Sequence, residues 1–138
     1  MRQGEAVFVD SGAWIALALT RDPLHGHARE QWDQLQGAGA KLRTSIPVVM
    51  ETFTFLQRNA NADVALAWKE SIYQPREIKI LTCDLRDLEQ SWSYFKKPMI
   101  HKLSAVDASS FVIMKREKIR LAFTFDHHFA VAGFTLVA

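Results

Sequence analysis

An uninterrupted apolar run that ends on a carboxylate limits what this chain can fold into. Val7, Phe8 and Val9 lead directly into Asp10. A β-forming run without polar alternation has no solvent face, so it belongs in a sheet covered on both sides, as parallel sheets are. Ser11-Gly12 follow, and then the helix-like Ala13-Trp14-Ile15-Ala16-Leu17-Ala18-Leu19. Open α/β sheets bind ligands just beyond the carboxyl ends of their strands. Asp10 therefore stands where such a fold keeps its chemistry. The pattern recurs late in the chain, where Leu121-Ala122-Phe123-Thr124-Phe125 runs into Asp126.

Turn and capping residues divide the rest into alternating strands and helices. Asp22 and Pro23 suit the cap and first position of a helix reaching about Gln36, stopped by Gly37-Ala38-Gly39. Lys41 to Thr44 is a short strand. Ser45-Ile46-Pro47 opens a helix to about Arg58, and Asn61 or Asp63 begins another, ending near Gln74-Pro75. Ile78 to Leu81 is a third strand, after which Thr82 or Asp84 caps a helix to about Tyr94-Phe95. Beyond a loop over 96–102, Ser104 opens a helix from Ala105 to about Lys118. A helical turn over 128–132 precedes a last strand, Phe134 to Val137. Parallel neighbours need crossovers, and crossovers are usually helical. The expectation is a three-layer α/β/α sandwich, one domain over residues 1–138. The first and fourth strands are the most uniformly apolar, so they belong together at the centre, with Asp10 and Asp126 side by side at the mouth of the gap between them.

Composition bounds the function. The chain has 138 residues, 49% of them hydrophobic, which suffices for one core with two covered faces. A net charge of +2 does not by itself argue for nucleic acid. Lys96, Lys97 and Lys102 bracket a Pro-containing loop. Lys115, Arg116, Lys118 and Arg120 end a helix, where cations ordinarily complement the dipole. Cys83 is alone, so it forms neither an intrachain disulfide nor a cysteine-based zinc site, which suits a reducing cytosol. Residues 1–5 lack a signal-peptide pattern, and no apolar stretch approaches the roughly 20 residues that span a bilayer. A cytoplasmic protein without a membrane partner is expected. His25 and His27 are two apart, so they do not share a helix face as a metal pair does, and they read as surface histidines.

Four carboxylates remain to be explained. Asp10 reads as an ordinary helix N-cap, and Asp126 as the cap of the turn at His128. Ser104-Ala105-Val106-Asp107 matches a capping box. Glu51 lies mid-helix at the edge of an apolar stripe, between Val48 and Phe55, where it either points to solvent or needs a partner. Two of the four sit at strand ends and two near helix faces that pack on the same sheet. Like charges about 4 Å apart repel by roughly 4 kcal/mol at an effective dielectric near 20. A convergent cluster therefore holds protons or a divalent cation. All-oxygen ligands favour Mg²⁺ or Mn²⁺ over Zn²⁺, and such a cation supports phosphoryl chemistry.

These motifs together resemble the PIN-domain family. They are Val7-Phe8-Val9-Asp10-Ser11-Gly12-Ala13-Trp14, the helix of Glu51, Leu103 to Ser110, and Ala122 to Phe129 followed by Gly133-Phe134. The likeness is greatest to the small VapC-like toxins of bacterial toxin–antitoxin modules, and it covers essentially the whole chain in order. It implies a metal-dependent endoribonuclease on a five-stranded parallel sheet. In the family, the positions matching Asp10 and Asp107 hold Mg²⁺, and those matching Glu51 and Asp126 complete the acidic pocket. Ser11 and Thr124 match positions that support the carboxylates. His128 matches a frequent histidine to which no catalytic role is given. The resemblance also implies homodimers and a partner antitoxin that blocks the pocket.

RNA phosphodiester hydrolysis is the expected activity, with Arg58, Lys96, Lys97 and Lys102 as candidates for holding flanking phosphates. A phosphoryl-accepting receiver would want paired carboxylates after the first strand, which Asp10-Ser11 lacks. A non-catalytic RNA- or protein-binding module would have no use for four carboxylates. A nuclease cutting DNA needs the same metal site, and the contacts to the 2′-hydroxyl that separate RNA from DNA are not legible in the chain. Trp14, Trp32, Trp68 and Trp92 are expected mostly in the core, with one or two free to line a protein interface.

Overall fold

A computed structural model describes residues 2–74, 78–96 and 102–138. Five strands form one all-parallel sheet in the order β3-β2-β1-β4-β5. They are β1 (Ala6–Val9), β2 (Lys41–Ser45), β3 (Ile78–Leu81), β4 (Leu121–Phe123) and β5 (Thr135–Leu136). The helices are α1 (Ser11–Ala18), α2 (His25–Gly37), α3 (Ile46–Asn59), α4 (Ala62–Tyr73), α5 (Leu85–Ser91), α6 (Ala105–Arg116) and α7 (His128–Val131). A 3₁₀ turn over Trp92–Lys96 extends α5. The expected fold class is therefore present. Its central pairing follows from composition: Val7, Phe8 and Val9 are fully buried, as are Ala122 and Phe123. Only the middle of a covered sheet accepts strands with no polar face. The chain winds from β1 through β2 to β3, then crosses back to β4. The direction of winding thus reverses between β1 and β4, which is where such sheets bind ligands.

The local signals account for most element starts. Ser45 caps α3, with Pro47 in its first turn, and Asn61 caps α4 through Val64 N at 2.8 Å. Asn61→Ala removes this exposed bond and is expected to cost about 1 kcal/mol. Urea unfolding should show a lower midpoint with an unchanged slope; an unchanged midpoint would mean that the cap contributes nothing. Asp84 and Ser104 each open a helix with a reciprocal capping box, to Asp87 and Asp107.

One expectation is corrected. Asp22 and Pro23 do not begin a helix: Asp22 Oδ1 accepts from Leu24 N at 2.8 Å, closing a turn, and α2 starts at His25. The His25 ring then lies 2.8 Å from Ala16 O, tying α2 to α1. As expected of one or two of the tryptophans, Trp92 is free of the core, 47% exposed beside Phe95, while Trp14 and Trp68 are buried. The 3₁₀ turn explains this, since its shorter period swings Trp92 outward and buries Tyr94. Lys97 and Pro75 lie outside the described residues. No helix among the described residues is long and apolar enough to cross a membrane.

The core joins both helical layers. Phe111 gathers an aromatic cluster within it, with ring centroids of Tyr94, Phe129 and Phe134 at 5.2, 4.9 and 5.8 Å. On α1, Trp14 Nε1 donates to Thr44 Oγ1, which donates in turn to Val9 O. That chain pins α1 to the central strands immediately beneath Asp10.

Candidate active site

The register of β1 on β4 assembles the first half of the site. Val9 pairs with Phe123, so the next residues of the two strands, Asp10 and Thr124, stand side by side. Asp10 N continues the ladder to Phe123 O at 3.0 Å. Thr124 Oγ1 donates to Asp10 Oδ2 at 2.9 Å and accepts from Asp126 N at 3.0 Å. One hydroxyl thus fixes two carboxylate-bearing residues. Asp10 occupies the N-cap position of α1 without making the cap bond. It is 4% exposed, and its Oδ1 is buried with no hydrogen-bond partner among the described residues. A buried carboxylate oxygen left unpaired is costly unless something fills the place of the missing donor.

Two helices complete the site. Glu51 sits in the second turn of α3, half-buried, and Ser11 Oγ donates to its Oε1 at 2.5 Å. The solvent-pointing alternative for Glu51 is thereby set aside: it has its partner, 40 residues away in sequence. Asp107 lies in the first turn of α6, where Ser104 Oγ accepts from its backbone N at 3.0 Å. Asp126 Oδ1 accepts from His128 N at 2.9 Å, and His128 Nδ1 lies at the same distance from that oxygen. The capping roles of Asp107 and Asp126 are therefore real, and the two side chains converge as well. Ligand atoms of Asp107, Asp126 and His128 all lie within 4.8 Å of one another. His128, matched in the sequence to a frequent family histidine without a catalytic role, belongs to the cluster, and the Asp-x-His spacing across the turn brings its ring back onto Asp126.

Crowding perturbs the acids. Burial above all, then the charge of Asp107, pushes Asp10 up to about 7. Burial, then the charge of Asp126, pushes Asp107 up to about 6. Glu51 adds to both. With no cation beside them, these carboxyls titrate between about pH 6 and 7 and carry protons below that range. The donor set fits one: four carboxylates, one with an unpartnered buried oxygen, in the oxygen-rich chemistry that suits Mg²⁺ or Mn²⁺.

The cations are dispersed. Arg58 is exposed near the end of α3 and shares a groove with Glu51. Lys96 is exposed at the end of the 3₁₀ turn, and Lys102 is exposed at a positive φ of 59° just before Ser104. Arg116 bonds the buried Asp87 and Thr82 O, and Arg120 pairs with Glu5, so both serve the fold.

The sequence profile of the PIN domain matches residues 7–135. The chain belongs to the PIN-domain family. The 23S rRNA-specific endonuclease VapC20 of Mycobacterium tuberculosis is 33% identical to this PIN domain over 133 residues, 95% of this chain and 97% of that protein. The crystal structure of VapC20, described as a toxin cleaving the sarcin–ricin loop, superposes with a TM-score of 0.83 at 30% identity, covering 94% of this chain and 96% of that one. VapBC2 from Rickettsia felis, bound to a DNA fragment from its promoter, gives 0.71 at 10% identity over 95% and 96% of the two chains. FitAcB from Neisseria gonorrhoeae gives 0.66 at 17% over 96% of each. The last two share the fold.

Proposed function

We propose that this PIN domain is a metal-dependent endoribonuclease acting as the toxin of a toxin–antitoxin pair, with 23S ribosomal RNA as the substrate to test first. The observation that carries this reading is the convergence of Asp10, Glu51, Asp107 and Asp126 at the reversal point of the sheet, with Asp10 Oδ1 buried and unpartnered. The identity with VapC20 supports the choice of RNA.

Asp10 and Asp107 are the residues that hold Mg²⁺ or Mn²⁺. When bound there, such a cation would supply neutralisation of the clustered carboxylates and Lewis-acid polarisation of a phosphoryl oxygen and a water. Thr124 holds Asp10 in one orientation, and Ser11 does the same for Glu51. Glu51 and Asp126 accept hydrogen bonds from the attacking water, align it with phosphorus and take up its proton. His128 backs Asp126 and keeps that carboxylate turned into the pocket. An antitoxin that covers the acidic pocket and pairing of two copies belong to the same reading. The exposed Trp92 and Phe95 offer apolar surface to a protein partner.

Purified protein incubated with 23S ribosomal RNA should cleave it in Mg²⁺ or Mn²⁺ and stop on addition of EDTA. A single-stranded DNA of matching sequence should resist. Tight RNA binding with no cleavage in either metal would replace the enzyme with a binding module.

A further inference from the structure

An open groove of about 610 Å³ runs beside Glu51. One wall is α3, with Met50, Phe55 and Arg58; the other includes Val106, next to Asp107 in the first turn of α6. Glu51 lines the groove itself, and Asp107 is the residue after Val106 in sequence. Glu51, Phe55 and Arg58 are spaced i, i+4 and i+7, so they form one stripe along the helix. It extends about 10 Å from the pocket.

The composition of the stripe points to a ligand. Phe55 is 40% and Met50 66% exposed, on a helix whose opposite face supplies the buried Val48, Thr52 and Leu56. Packing within the chain therefore does not account for them. Arg58 makes no ion pair or side-chain hydrogen bond among the described residues. An exposed aromatic ring between a carboxylate and an unengaged guanidinium suits a base to stack and a phosphate to pair. Single-stranded RNA presents both, because its unstacked bases are free to lie on aromatic side chains. A duplex keeps its bases in the stack.

We infer that this groove binds the nucleotide flanking the scissile phosphate, with Phe55 stacking its base, Met50 packing beside it and Arg58 pairing with the next phosphate. The inference rests on the ribonuclease reading and deepens it: the enzyme selects single-stranded loops through a subsite on α3.

The test uses an RNA hairpin cleaved in its loop in excess Mg²⁺. Phe55→Ala and Phe55→Leu should each lower kcat/KM about tenfold, chiefly through KM, whereas Phe55→Trp retains it. An abasic nucleotide at the stacked position should impose a similar loss on the wild type and no further loss on Phe55→Ala. Arg58→Gln should reduce the slope of log kcat/KM against log salt by about 0.7. Tyr73→Ala, an exposed aromatic at the end of α4, should change nothing. Full activity in Phe55→Leu would assign the face to an apolar protein contact instead, such as a second copy, which sedimentation would show. Wild-type cleavage undiminished in Phe55→Ala overturns the subsite alone. No wild-type cleavage in Mg²⁺ or Mn²⁺ overturns the ribonuclease reading and the subsite with it.

Discussion

Asp10→Asn is expected to lower RNA cleavage by roughly 10³-fold or more, at or above the loss from deleting one transition-state-stabilising group. The same change should stabilise the metal-free protein at pH 8. Both effects have one cause. Asp10 is buried next to Asp107 and Glu51, which raises its carboxyl from 3.8 to about 7. A carboxyl with a raised folded value binds its proton more tightly in the folded state than in the unfolded one. Its contribution to stability is therefore most favourable below about pH 4 and is lost as pH rises to about 7, after which it is constant. By linkage the loss amounts to a few kcal/mol. Asp107, raised to about 6, acts with the same sign over a narrower range. Asparagine keeps an acceptor for Thr124 and removes the charge. In EDTA the wild type should lose melting temperature relative to Asp10→Asn between about pH 4 and pH 7, with a constant gap above. Saturating Mg²⁺ should raise the wild-type melting temperature at pH 8 and the variant's far less. An unchanged cleavage rate would remove Asp10 from the machinery, and a gap independent of pH would mean that Asp10 is not the strained carboxyl.

Phe111→Ala should be the most destabilising single change on the α6 side of the sheet, costing about 3–5 kcal/mol. Phe111 is fully buried and touches three aromatic rings, so its removal leaves a cavity that rigid neighbours fill poorly. The melting temperature should drop by roughly 10–20 °C, and Phe111→Leu should recover most of it. Phe111 also lies one turn after Asp107 on α6, so it anchors the helix that delivers a carboxylate. Activity per folded molecule, measured well below the transition, should still fall far less than in Asp10→Asn, because Ser104 continues to cap Asp107. Equal losses would show that the position of α6, rather than Asp107 itself, limits the chemistry.

Several features were legible in the chain because their causes are local. The runs Val7–Val9 and Leu121–Phe123 lack a polar face, and that alone sends them to the centre of a parallel sheet. Ser45, Asn61, Asp84 and Ser104 start helices through bonds spanning three residues, a distance a reader of sequence can see. Asp22-Pro23 misled for the same reason: turn and cap share residue types, and which forms depends on where α2 can dock. Asp87 went unnoticed as a buried acid because its partner, Arg116, is 29 residues on.

The chain by itself determined the order of strands and helices, most helix starts and the carboxylate directly after β1, whereas β4 ends at Phe123, so Thr124 stands beside Asp10 and Asp126 follows two residues later. Tertiary structure decided that the four acids lie within reach of one another's charge. Asp10 meets Thr124 across 114 residues through the β1–β4 register, and Ser11 meets Glu51 across 40 because α1 packs on α3. The raised carboxyls exist only there. Each acid is ordinary in its own stretch of chain, and the perturbation arises when folding removes water from between like charges.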